Sequence, residues 1–162
     1  MSFDFTPRND FLIGIDSDGC AFDTMEVKHK ECFIPNIIEY YHLAAVSKYA
    51  REAAEFVNLY SRWRGVNRFP ALLRTMDLLV ERDEVRKRGA KIPRLPSVRK
   101  WVETETKLAN PALEAAVKSS GDAELTHLLA WSKAVNQAVE RVVHDVPPFP
   151  LVRESQIGRA HV

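Results

Sequence analysis

Only one segment of this chain has the pattern of a buried β-strand, and this is the feature that most constrains the fold. Residues 11–15 form a short, continuous apolar run, FLIGI, which is typical of a strand covered on both faces in a parallel sheet. A single strand cannot pair its own backbone N–H and C=O groups. The sequence offers no good candidate for a neighbouring strand. We therefore expect that the rest of the sheet is missing and that the sequence is incomplete at its C-terminus.

Helical patterns dominate the chain after this strand. The predicted helix starts carry a capping residue or an Asn-Pro pair, and they lie at Thr24, Ser47, Ser97, Asn110 and Asp122. A further helix is predicted over residues 69–87, with Gly89 as its stop. Pro35 is expected to break or kink the first helix, because proline has no N–H to donate.

The fold class predicted from this order is mainly α, with a small piece of an α/β core attached. The segment VPPFP is typical of a stiff linker, here leading back toward that core. The predicted parts are an N-terminal core piece (1–24), an all-helical block (25–145), and a Pro-rich hinge with a tail (146–162).

The composition describes a chain of balanced charge with enough apolar residues for a core. Of 162 residues, 46% are apolar, and there are 23 basic and 22 acidic residues. Proteins that coat nucleic acid usually have a basic excess, so we expect no nucleic-acid partner. The N-terminal sequence MSFDFTPRND lacks the pattern of a signal peptide, and no apolar run is as long as a membrane span. We expect a cytoplasmic protein without a membrane partner, and the oligomeric state stays open.

Two aspartates come directly after the predicted strand, separated by one residue. Asp16 and Asp18 lie where open α/β sheets place their ligands, at the carboxyl end of a strand. One carboxylate can attack phosphorus while the other donates a proton to the leaving group, and such oxygens also suit Mg²⁺. A solvated turn without chemistry is the simpler alternative. A calcium loop is disfavoured because Gly19 directly follows the second acid.

The whole stretch FLIGIDSDGCAFDT closely resembles the first motif of the haloacid dehalogenase superfamily of hydrolases. The resemblance implies that Asp16 is a nucleophile that forms an aspartyl-phosphate and that Asp18 is a general acid/base. It also implies a Mg²⁺ held by the Asp16 carboxylate and the Asp18 backbone carbonyl. The second acid favours the phosphatase branch, which acts on small phosphorylated molecules.

The order of elements is also similar to that of this family, whose Rossmann-like core often carries an inserted helical cap. The block 25–145 looks like such a cap, although it is larger than compact four-helix caps, which leaves the subtype open. The family's later motifs supply a Ser or Thr, a Lys and further acids, whereas residues 151–162 show no second strand ending in Ser or Thr, no lysine and no acid pair. We therefore expect a phosphatase parent protein, with this chain alone catalytically inert.

A basic loop in the helical block, SRWRGVNRF, is the best candidate for substrate contact within the cap. Arginines can bind phosphate or carboxylate in bidentate fashion. The candidate side chains are those of Arg62, Arg64, Asn67 and Arg68. An ordinary basic turn between helices is the alternative.

Two further interpretations stay open. Within the family, the activity could be phosphonate cleavage or phosphate transfer within a substrate. Outside it, the chain could be a non-catalytic helical interaction module with an incidental acid loop. The scattered histidines have no metal-binding spacing, and Cys20 is expected to be a small buried residue.

Overall fold

The structure is a computed structural model, and it describes residues 14–153. The described part is mainly helical, which confirms the mainly α part of the predicted class. The α-helices are α1 (Thr24–Val27), α2 (Ile34–Tyr40), α3 (Ser47–Glu55), α4 (Arg68–Glu81), α5 (Asp83–Lys87), α6 (Pro96–Thr104), α7 (Asn110–Ser120) and α8 (Ala123–Val142). Two π-helical segments continue helices without a break: the first π segment, Lys28–Phe33, comes after α1, and the second, Phe56–Tyr60, comes after α3.

The first helix continues through Pro35, so the predicted break does not occur. The first π segment joins α1 directly to α2, and Pro35 stands in the first turn of α2. Proline cannot donate a backbone hydrogen bond, and its ring crowds the preceding turn of an α-helix. A change to π-helical register just before the proline accommodates it, since π segments are local bulges inside longer helices.

The predicted helix over 69–87 is two helices. Arg82 has an extended backbone, with φ −81° and ψ 122°, and separates α4 from α5. Its guanidinium lies 2.5 Å from a carboxylate oxygen of Glu52 in α3. The break at Arg82 thus coincides with a contact to α3, and the local sequence pattern does not indicate either.

Of the predicted helix caps, Asp122 has the expected geometry. Its carboxylate accepts a hydrogen bond from the Leu125 N–H at 2.9 Å. Thr24 and Ser47 are instead the first residues of their helices, and neither acts as a side-chain cap. A cap that the sequence did not predict is Asn67, which accepts from the Phe69 N–H at the start of α4.

The hydrophobic core surrounds α8. Leu128, Trp131 and Val135 on this helix are completely buried, and α8 packs against α2, α6, α7 and the first π segment. Phe69 of α4 contacts the Trp101 ring edge-to-face at 5.0 Å. The helices thus bury one continuous core of their own.

The two segments that flank the helical block pair with each other. Phe22 forms an isolated antiparallel bridge with Pro148, and the Phe149 N–H donates to the Ala21 carbonyl at 2.9 Å. We call these four residues the neck. Most of the predicted strand 11–15 lies outside the described residues. Gly14 and Ile15, its described part, have no regular secondary structure.

Candidate functional site

Residues 16–20, which we call the aspartate loop, form a tight turn just before the neck. The Ser17 carbonyl accepts hydrogen bonds from the Ala21 N–H at 3.1 Å and from the Phe22 N–H at 2.9 Å. Gly19 has φ +69°, and a Cβ added there would lie 2.7 Å from the Met25 side chain. A side chain at this position would be strained and would clash. The glycine therefore lets the loop lie directly against the first helix.

Asp18 is bound by two side chains from that helix. The Thr24 hydroxyl donates to one carboxylate oxygen at 2.7 Å, and the Lys28 ammonium lies 2.5 Å from the other. Thr24 and Lys28 are one helical turn apart and so share a face. The hydrogen bond from Lys28, and after it that from Thr24, lowers the pKa of Asp18 below its usual value. Asp18 is therefore a carboxylate at neutral pH, with a side chain 43% exposed.

Asp16 is exposed. It does not belong to the lining of the cavity that Asp18 faces. The structure thus places the two predicted acids in one loop and brings only the second into contact with the helical block.

Asp18 lines a cavity of about 420 Å³ between the aspartate loop and the helices, which we call the Asp18 cavity. Its walls come from α1, the two π segments, the basic loop, α4 and α8. The lining residues are Asp18, Met25, Lys28, His29, Phe33, Asn58, Gly65, Val66, Arg68, Asn136, Val139 and Glu140. Charged groups and apolar side chains therefore line the same space.

Two arginines of the basic loop reach this region. An Arg64 guanidinium nitrogen would lie 3.1 Å from a Cβ added at Gly19, so Arg64 lies over the aspartate loop. Arg68 lines the Asp18 cavity itself. The basic loop and the acid loop, far apart in sequence, are therefore neighbours in the fold.

The other two candidates of the basic loop are engaged elsewhere. Asn67 caps α4, and its amide donates to the Leu108 carbonyl at 2.8 Å. Arg62 is exposed, with its guanidinium 5.3 Å from the centre of the Trp63 ring. Neither residue lines the Asp18 cavity.

Arg68 is held in place by α8 and by an aromatic ring. One of its terminal nitrogens, Nη1, donates to Asn136 Oδ1 at 2.7 Å and to the carbonyl and hydroxyl of Ser132, both at 3.2 Å. The guanidinium also lies 5.0 Å from the centre of the Phe33 ring. Burial lowers the pKa of Arg68 from its ordinary value, although an arginine remains charged at neutral pH.

His29 is a residue of this site that sequence reasoning missed. Its Nδ1 atom is buried without a hydrogen-bond partner in the described part of the chain. Burial first, and then the charges of Lys28 and Arg68, lower its pKa to about 4. His29 is thus neutral at pH 7. The sequence places His29 next to Lys28. It does not indicate that Lys28 contacts the aspartate loop, and without that contact His29 could not be assigned to this site.

Cys20 is exposed, so the expectation that it is buried was wrong. It directly follows Gly19 in the tight turn. Cys32, in the first π segment, is the completely buried cysteine.

The aspartate loop has oxygen donors of the kind that Mg²⁺ takes. The Asp16 carboxylate is exposed, and the Asp18 carbonyl accepts no hydrogen bond from residues 14–153. These two groups fit the ligand roles that the resemblance implies. Within the same residues, no cluster of three or more His, Cys, Asp or Glu side chains could hold a metal ion.

Comparisons with family models, with curated proteins and with solved structures found no match for this chain. Among the described helices, none has the length and apolar character needed to cross a membrane.

Proposed function

We propose that this chain carries the nucleophile loop and helical cap of a haloacid dehalogenase-type phosphoric monoester hydrolase that acts on a small organophosphate. The observation that carries the proposal is that Asp18 and Arg68 line one cavity. The carboxylate of Asp18 from the aspartate loop and the guanidinium of Arg68 from the helical block thus line the same cavity. Such an arrangement can hold a phosphorylated molecule between the loop and the helices. A cytoplasmic location is part of the same proposal.

The reaction assigns one step to each carboxylate. Asp16 does not line the Asp18 cavity, so the step requires that the phosphoryl group lies at the edge of the cavity nearest Asp16. There Asp16 attacks phosphorus, the bond from phosphorus to the leaving oxygen breaks, and Asp18 gives that oxygen a proton. Asp18 then takes a proton from water, which attacks the aspartyl-phosphate and frees phosphate and Asp16. Mg²⁺, held by the Asp16 carboxylate and the Asp18 carbonyl, would offset the negative charge of the phosphoryl group when bound.

The Lys28 contact sets a condition on this chemistry. Lys28 and Thr24 stabilise the ionised form of Asp18, which favours its role as a base and opposes its role as an acid. Proton donation therefore requires that Lys28 moves from Asp18 to another anion, and the substrate phosphate supplies one. Substrate binding would then raise the pKa of Asp18 as the reaction needs.

Exposed apolar side chains in and beside the neck also support the proposal. Ile15 and Leu151 are 55% and 71% exposed, and Phe22 and Phe149 are exposed to a smaller extent. They lie in the two segments that flank the helical block, where a core domain would pack.

The test is a phosphate-release assay at millimolar Mg²⁺ with a panel of phosphate monoesters. We expect turnover by the protein expressed from the complete reading frame of the gene, and its loss in Asp16→Asn. The present chain alone is expected to be inert. No phosphate release by the complete protein from any monoester would contradict the proposal. A phosphonate and a phosphosugar in the panel distinguish the related activities of phosphonate cleavage and phosphate transfer.

A second candidate function is that of a non-catalytic helical interaction module. It is favoured by one observation, the binding of the Asp18 carboxylate by Thr24 and Lys28. In this case the acid is only structural. Asp18→Asn would then lower the stability of the helical block, while no substrate of the panel would be turned over by the complete protein.

A further inference from the structure

Arg68 differs from several other arginines of the described chain in having no acidic partner there. Arg82, Arg86 and Arg99 each pair with a carboxylate. Every hydrogen bond that Arg68 makes within residues 14–153 goes to a neutral acceptor on α8. A partly buried cation without a paired counter-charge is less stable than one in an ion pair. Within the described residues, Arg68 therefore has no ion-pair partner, although the acids Asp18 and Glu140 line the same cavity.

The unused part of the guanidinium has the geometry of an anion-binding fork. A guanidinium has five N–H donors in one plane. The hydrogen bonds of Arg68 all leave from Nη1, and Nε and Nη2 make none with the described residues. Asn136 and the Phe33 ring fix the plane of the group. An anion that binds there would lose little affinity to ordering of the side chain.

The charges around Arg68 leave room for such an anion. Asp18 is already paired with Lys28. Glu140, the other acid that lines the cavity, is exposed and forms no ion pair with Arg68 in the described part of the chain. His29 is neutral at pH 7 because its pKa is about 4. Lys28 and Arg68 thus lie in one cavity of about 420 Å³, enough space for a small anion.

We propose that the Asp18 cavity binds a small anion of the carboxylate or phosphate class through the free Nε–Nη2 edge of Arg68. The site binds this anion whether or not the chain turns it over. If the proposed phosphatase function holds, the anion is a second charged group on the substrate, on the side of the leaving oxygen. The substrate class is then an organophosphate with an additional carboxylate or phosphate.

Binding is measured on the present chain by isothermal titration calorimetry, with inorganic phosphate and, separately, malonate as probes at constant ionic strength. We expect saturable binding with a Kd on the order of 1 mM or tighter for at least one probe. Binding of both probes indicates recognition of charge by the fork, and binding of phosphate alone indicates a phosphate site. No binding of either would overturn the proposal.

The sharpest variant is Asn136→Asp, which places a carboxylate where Arg68 already has a hydrogen-bond partner. The new acid should form an ion pair with Arg68 and lower the affinity for the anion about tenfold or more. Arg62→Gln is the matched control, because it removes an exposed arginine of the same loop and should leave binding unchanged. Equal affinity in wild type and Asn136→Asp would place the anion elsewhere and overturn the proposal.

A second variant and an NMR titration test the same proposal independently. If Asn136→Asp does not fold, Arg68→Lys keeps the charge, removes the planar fork and should also weaken binding. In wild type, a bound anion should raise the pKa of His29, measured through its ring signals by NMR, because the neighbouring positive charges are then offset. An unchanged His29 titration at saturating anion would contradict binding in this cavity. None of these readouts requires turnover, so a failure of the phosphatase proposal would be seen separately.

Discussion

Asp18 shows how much a sequence pattern can indicate about one residue. Its presence beside Asp16, with a glycine next to it, is sufficient to predict a loop suited to acid/base chemistry. Its partners are not predictable in the same way. Thr24 fits the pattern of a helix cap, but its hydroxyl donates to Asp18 instead. Whether Thr24 caps the helix or binds Asp18 depends on whether the aspartate loop folds back over the first helix. Gly19 permits this fold, but no local propensity predicts it.

Removal of the Thr24 hydroxyl tests this contact. In Thr24→Val, Asp18 loses one of its two donors, and we expect its pKa to rise toward the ordinary value. The buried position of Thr24 suggests a loss of unfolding free energy of about 1 kcal/mol. The pKa is measured by carbon NMR of the carboxyl group, and the stability by urea unfolding. Thr104→Val is the control, since that hydroxyl bonds only within its own helix.

His29 predicts a pH dependence of stability. Its pKa is about 4 in the fold and about 6.5 in an unfolded chain. Above pH 6.5 the ring is neutral in both states and contributes nothing. As the pH falls toward 4, the unfolded chain binds a proton first, and the fold loses stability. We expect a loss of roughly 1–3 kcal/mol, after allowance for the partial exposure of the ring.

The comparison that isolates this effect is between wild type and His29→Gln, by thermal or urea unfolding at several pH values. Wild type should lose stability more steeply between pH 6.5 and 4. Asp18 does not account for a difference between the two proteins, because both keep it; its lowered pKa stabilises the fold above its ordinary value of 3.8, and this stability is lost as the pH falls below that value. Parallel profiles for the two proteins would contradict the assignment.

At the scale of elements, the presence of the helices was predictable, but their π-helical segments and the break at Arg82 were not. Apolar periodicity and turn residues located the helices, because each helix buries one face. Pro35 and Arg82 were the failures. Just before Pro35 the chain has a π-helical register, and at Arg82 a contact with Glu52 of α3 accompanies a break. The contact at Arg82 depends on a helix that is distant in sequence, which a local pattern does not report.

The cap of α8 tests an element whose start was predicted correctly. Asp122 accepts from the Leu125 N–H and also from the Ser97 hydroxyl of α6, at 2.8 Å. In Asp122→Ala both hydrogen bonds are lost, and we expect the midpoint of urea unfolding to fall clearly. Asp122→Asn keeps an acceptor oxygen and should lose much less. Urea unfolding followed by circular dichroism measures the difference.

At the scale of the molecule, the hydrophobic core around α8 was predictable from the sequence, and the Asp18 cavity was not. The apolar stripe of α8 was visible in the sequence, and Leu128, Trp131 and Val135 are completely buried. The Asp18 cavity joins residues from the start, the middle and the end of the described chain. The contact between Arg68 and Asn136 spans 68 residues. Only the packing of the helices brings such residues together, so no local pattern could indicate their contact.

The central position of α8 predicts an unequal effect of two adjacent leucines. Leu128 is completely buried, and Leu129 is only partly buried at the edge of the core. Leu128→Ala should cost about 2–5 kcal/mol of unfolding free energy, because it leaves a cavity. Leu129→Ala should cost distinctly less. Tryptophan fluorescence during urea unfolding reports both, and equal losses would contradict the described packing.

The neck also determines how the block would respond to a pulling force on its two flanking segments. Those segments run antiparallel and, within residues 14–153, are joined through the Phe149–Ala21 hydrogen bond. Tension applied to them in opposite directions would open this contact, and the contacts of Asp18 with Thr24 and Lys28, before the core around α8 is loaded. A stretching experiment should therefore show a short, low-force step first, and then one larger event in which the core around α8 unfolds.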